Sequence, residues 1–180
     1  MDFVLGIHET RAARAFEVID TLVSIPTSDS LDRLRGSLPQ NLITLNYFFE
    51  KAGPEWIPVL QGTPYLQPDE VLDLRGRYAP WPAADWAIRV SGADTAFARG
   101  TLDRLASTSN PLVASAALSV AESLDTAELA SRGGQLAHWA RVSAGFSDGR
   151  VATRIIVRLS SDGASEASLL LANAVLGGTA

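Results

Sequence analysis

The side chains able to do acid–base, metal or nucleophilic chemistry are few and scattered. The chain has two histidines, His8 and His138, and no cysteine. Without cysteine there are no disulfides, no thiolate metal sites and no cysteine nucleophile. A metal site needs three or four ligands. The positions three and four residues either side of His138 are Gly134, Gln135, Arg141 and Val142, so no carboxylate shares its helical face. His138 therefore reads as a satisfied or surface histidine, and His8 sits close to the N-terminus. The acidic pairs Asp29/Asp32 and Asp69/Glu70 lie in polar segments, where capping or solvation is their ordinary use. No serine stands in a G-x-S-x-G elbow, and neither G-x-x-x-x-G-K-[ST] nor a strand-borne G-x-G-x-x-G occurs. No catalytic residue, cofactor or metal is expected, and the chain is not expected to be an enzyme.

The aromatic residues are the more unusual group. Trp56, Trp81 and Trp86, three of the four tryptophans, fall within 31 positions together with Tyr65 and Tyr78. Arg75 and Arg77 stand among them, so guanidinium–ring stacking is available. Two readings are open. The rings pin a loop to the helices, each burying roughly 150–250 Å². Alternatively, Trp56, Tyr65, Arg75, Arg77, Tyr78, Trp81 and Trp86 line a pocket or a partner groove.

The elements that must position these residues read as helices. Apolar residues recur at three- and four-residue steps over Thr10–Ser24 (Ala12, Ala15, Phe16, Ile19, Leu22, Val23), and Pro26 stops the helix. Thr27, Ser28 and Asp29 offer caps for a short helix over Leu31–Arg35. A third helix spans Gln40–Ala52, with Pro39 in its first turn and Gly53 as its C′ residue. Residues 61–81 form a long connection rich in aromatics, Pro and Gly, expected to be ordered by its rings. Beyond it, Pro82–Val90 carries Trp86 and Val90 on one face. Asp94 caps the next helix, and Asn110 with Pro111 opens another. Asp125-Thr126-Ala127-Glu128 has capping-box spacing and starts a segment running to Val142. Ser147 caps Val151–Leu159, and Ser161 or Asp162 opens the last helix. Setting Val113 on Val151 places Ala117 on Ile155, Leu118 on Ile156 and Ala121 on Leu159, a shift of 38 residues. A period near 40 with two helices per unit is the HEAT or armadillo pattern. The expected fold is all-α, an α-solenoid of such helix pairs in one domain over residues 1–180. The alternative is an irregular helical bundle.

Bulk properties narrow the function. The net charge is −5 and the pI about 5.0, which argues against a nucleic-acid partner. Lys51 is the only lysine among 15 cationic residues, a usage that suggests a GC-rich genome. No window reaches 18 unbroken apolar residues and Met1–Gly6 does not open a signal peptide, so a cytoplasmic protein without a membrane partner is expected.

Three segments carry a resemblance: "NYFFEKAGPEWIPVLQGTPYLQPDE", "YAPWPAADWAIRVSG" and "LASTSNPLVASAALSVAESL". Together they resemble the N-terminal helical-repeat region of large multi-domain bacterial proteins of unassigned function. The matching positions are Asn46–Phe49, Trp56, Leu60, Trp81, Pro82, Asn110, Pro111 and Val113. The resemblance implies a HEAT-like architecture, brings no catalytic residue, and implies the N-terminal piece of something longer. The expected role is a non-catalytic protein-interaction or scaffold module. The alternative is an accessory or sensing domain of a larger NTPase or nuclease-type protein, and a weaker option is a hydrolase using a pocket in the loop. Partners would be another protein or downstream domains of the same polypeptide. Leu169, Leu170 and Leu171 are consecutive and cannot share one face at 3.6 residues per turn. With Val175 and Leu176 they imply an open apolar side on the C-terminal helix, and weak self-association through it.

Overall fold

The computed structural model describes residues 13–37, 42–68, 77–146 and 149–177. Every regular element among them is helical, and no strand occurs among them. No helix among them is long and apolar enough to cross a membrane. In place of the single domain read from the sequence, the chain divides into two compact units, Met1–Gln67 and Pro68–Ala180.

In the first unit, residues 13–22 form α1, followed by α2 (Ser28–Ser37) and α3 (Leu42–Lys51). A 3₁₀ turn (Pro54–Trp56) leads into α4 (Ile57–Leu60), and a second (Pro64–Leu66) follows. The cap predicted before α2 is Thr27, whose hydroxyl accepts the Ser30 N–H at 3.1 Å. The predicted start of the third helix at Pro39–Gln40 lies outside the described residues. Gly53 does not close α3 as a C′ glycine. Its φ of −93° is ordinary, and it precedes the 3₁₀ turn whose first position holds Pro54. The core is built from Ile19, Leu22, Leu34, Phe48, Trp56 and Leu60.

The second unit contains α5 (Ala84–Ser91), α6 (Thr95–Arg104), α7 (Pro111–Ala121), α8 (Thr126–Ser131), α9 (Gly133–Val142), α10 (Arg150–Ser161) and α11 (Ser165–Gly177). Short-range chemistry sets several starts. Asp94 accepts the Phe97 N–H at 2.9 Å. Asn110, wholly buried, accepts from Leu112 at 3.0 Å and donates its amide to the Ala79 carbonyl at 2.8 Å. Asp125 accepts the Glu128 N–H at 2.8 Å. The reciprocal half of a capping box is absent from the hydrogen bonds of Glu128, whose carboxylate takes the Arg99 guanidinium instead.

Two boundaries differ from the expected ones. The segment from Asp125 to Val142 breaks at Arg132 (φ −100°, ψ 14°), so α8 and α9 are separate. Arg132 is held there by Asp103 at 2.7 Å and Gln135 at 2.9 Å. The last helix opens at Ser165 and not at Ser161 or Asp162, because Asp162 still caps α10 at its C-terminal end. Gly163, at φ +81°, reverses the chain. The Gly163 N–H returns to Ser160 at 3.3 Å and the Ala164 N–H to Leu159 at 2.8 Å, the pattern of a Schellman C-terminus. Ser147, expected to cap α10, lies outside the described residues, and Gly149 occupies the N-cap position.

Helices α5, α7, α9 and α11 pack each on the next, while α10 packs on both α8 and α11. The most extensive contact joins α9 to α11, with Gly133 of α9 set against Ala167 of α11, both buried. A Cβ on Gly133 would lie 3.1 Å from the Ala167 Cβ. Small side chains let the two backbones approach this closely, and dispersion contacts grow with that proximity.

Candidate functional site

The aromatic residues singled out by sequence do not assemble into one site. Trp56 and Tyr65 belong to the first unit, and Arg77, Tyr78, Trp81 and Trp86 to the second; Arg75 lies outside the described residues. Trp56 is fully buried, donating its indole N–H to the Val23 carbonyl at 2.6 Å and meeting Phe48 edge-on at 5.1 Å. Trp86 is also fully buried, edge-on to Phe97 at 5.3 Å. Trp81 is buried and its indole N–H has no hydrogen-bond partner. These three indoles are core side chains. Tyr65 is half-buried beneath the Arg35 guanidinium, 5.7 Å from the ring centre. Tyr78 is half-buried and touches the exposed Phe146 edge-on at 6.3 Å, and Arg77 is exposed.

The remaining chemistry-bearing residues are dispersed. His138 is half-buried with Nε2 at 3.0 Å from the Thr108 carbonyl; His8 lies outside the described residues. Asp29 and Asp32 are exposed, and Asp32 pairs with Arg35 at 3.3 Å. Asp69 and Glu70 lie outside the described residues. No cluster of three His, Asp or Glu side chains that could hold a metal occurs among the described residues. On the first unit, Tyr47 donates its hydroxyl to Asp20 at 2.9 Å, and the Lys51 ammonium stands 3.8 Å from Asp20 and 5.2 Å from the Tyr47 ring centre.

A different surface stands out on α11. Of the three consecutive leucines, Leu171 is fully buried, whereas Leu169 is 63% and Leu170 45% exposed. Leu176 is 74% exposed on the following turns. At the N-terminal end of this face opens a cleft of about 470 Å³ lined by Gly133, Gly134, Gly163, Ala164, Glu166 and Leu170. Its walls come from the α8–α9 break and the α10–α11 reversal, which explains their small residues. The leucine run was legible in the sequence. The cleft was not, because it exists only once the Arg132 break and the Gly163 reversal are brought side by side. Glu166 is the one acidic side chain in the first turn of α11, and no basic residue stands in its last turn. The α10–α11 hairpin is fixed by Ser168, whose hydroxyl lies 2.7 Å from the Ser160 hydroxyl and 3.3 Å from the Ile156 carbonyl. That register sets Arg150, at the start of α10, level with the C-terminal turns of α11.

The flank formed by α6, α8 and α10 is tied by ion pairs. Arg99 meets Glu128, Arg132 meets Asp103, and Arg154 meets Glu122. Arg158 donates to the Glu122 and Leu124 carbonyls at the α7–α8 turn. Its cations are thus engaged within the chain.

The chain matches no protein-family model, no curated protein and no solved structure.

Proposed function

We propose that this chain is a non-catalytic helical-repeat module that binds protein, and that the uncovered face of α11 is its docking surface. The observation carrying this reading is the exposed pair Leu169 and Leu176, seven residues apart on one helical face, with the exposed Leu170 on the adjoining side lining an open cleft. Exposed apolar side chains gathered on one face, next to a concavity, are the usual mark of a protein-binding surface. A HEAT-like arrangement is supported by the alternation in which α5, α7, α9 and α11 stack in sequence. Stacked helical repeats present such surfaces for partners and place no chemistry in them.

The test is recovery of partners by the tagged chain from its native cells, followed by direct binding of the purified pair. Leu169→Glu and Leu176→Glu should each abolish that binding while preserving helicity, and Arg33→Glu on the first unit should not affect it. Partners retained by both leucine variants would overturn the reading.

A further inference from the structure

Resting on that docking surface, we propose that its partner is an amphipathic helix of another protein, laid along α11 with an arginine or lysine of its own seated in the adjoining cleft against Glu166.

The first argument is periodicity. Leu169, Leu170, Asn173 and Leu176 stand three, four, seven and ten residues after Glu166, and all five are exposed. That spacing makes them one stripe along α11, turned away from the buried Ala167, Leu171 and Ala174. A straight row of this kind matches another helix, whose anchors recur at the same steps. An extended peptide would meet only side chains there, with nothing to pair its own N–H and C=O groups. The second argument is continuity. Helix α7 is packed by both α5 and α9, and α9 by both α7 and α11. Among the described residues α11 ends this series, and a helix on its exposed stripe extends the same packing by one member. The third argument is charge. Glu166 is the one charged side chain lining the cleft, and no ion pair engages it among the described residues. The remaining walls are glycine, alanine, serine and Leu170. A long basic side chain suits both parts: its aliphatic stem lies on Leu170 and the small residues, and its head meets the carboxylate. An acidic side chain would be repelled there. Residues 167–177 carry no charge, so contact along the rest of the stripe buries no charged group, and Asn173 is the one amide the partner has to hydrogen-bond. One helix face falls short of the roughly 1,200–2,000 Å² buried in stable complexes, so the association is weak, with a dissociation constant on the order of micromolar.

The probe is a display library of amphipathic helices of about four turns, apolar at three- and four-residue steps and varied elsewhere. It is panned on the whole chain, with the Leu176→Glu chain as counter-selection. Selected helices are expected to carry arginine or lysine in one terminal turn. As labelled peptides in fluorescence anisotropy they should bind the parent, and Leu169→Glu, at an exposed position that leaves helicity and melting temperature unchanged, should weaken them roughly 10-fold or more. Glu166→Arg should weaken them roughly 3-fold or more, and replacing the peptide's terminal basic residue by glutamate should restore binding to that variant. A library that yields no helix distinguishing the parent from Leu176→Glu overturns the helical partner, while partner recovery from native cells still decides the docking reading. Selected helices indifferent to Glu166→Arg overturn the basic contact. Sedimentation velocity covers the competing occupant: a parent that dimerises, with the dimer lost in Leu176→Glu, makes a second copy the occupant and overturns the proposal.

Discussion

The indole of Trp139 is fully buried and gives its N–H to the Leu105 carbonyl at 2.9 Å, 34 residues earlier in the chain. Trp56 does the same for Val23 at 2.6 Å across 33 residues. Each bond goes to a carbonyl just past the end of a helix; that of Leu105 also accepts the Thr108 N–H at 3.2 Å. Charged side chains act more weakly and on the surface. Glu122 receives the Arg154 guanidinium through both carboxylate oxygens. That hydrogen bond, opposed by partial burial and aided by the charges of Arg154 and Arg158, holds its carboxyl below the usual carboxylate range. The folded state therefore releases this proton more readily than the unfolded chain. Its contribution is present at neutral pH and is lost as pH falls through the carboxylate range. Arg154 is 57% exposed, so solvent screening limits the contribution to about 1 kcal/mol or less. Glu122→Gln should lower stability by that amount at pH 7, and the gap should close at acid pH once the carboxyl is protonated in the folded state as well. Chemical denaturation at the two pH values checks it, and an equal gap at both would contradict the assignment.

Helix starts were readable wherever a side chain acts within three residues, as Asp94, Asn110 and Asp125 do. Features that depend on a neighbouring helix were not. The Arg132 break answers to Asp103 and Gln135, and the burial of Trp56, Trp81 and Trp86 depends on which faces other helices cover. A tryptophan in sequence carries no mark distinguishing a core ring from a groove ring. Leu169 to Leu171 could be read because helical geometry alone forbids one shared face. The α9–α11 contact offers a sharp test at this scale. Gly133 has the Ala167 side chain against the place its own would occupy, whereas Gly134 faces open space. Gly133→Val should destabilise by about 1–3 kcal/mol through overpacking. Gly134→Ala should stabilise by about 0.5 kcal/mol through helix propensity. Thermal melts of the two variants should move in opposite directions; a common direction would mean that backbone proximity does not control this contact.

The chain as a whole is two compact units, the first with Trp56 buried and the second with Trp81, Trp86 and Trp139, and a unit with its own core is able to fold alone. Residues 68–180, produced separately, should give a helical far-UV spectrum and one cooperative melt; a non-cooperative loss of helicity would show that its core is incomplete. The placement of Lys51 has a consequence for covalent chemistry. Its ammonium is the only side-chain amine in the sequence, and it belongs to the first unit. Tyr47, with Asp20 behind it, raises the Lys51 ammonium above the ordinary lysine range, and a protonated amine is not a nucleophile. An acylating reagent therefore modifies Lys51 only in alkali, and the second unit, whose basic side chains apart from His138 are all guanidinium groups, offers no side-chain amine.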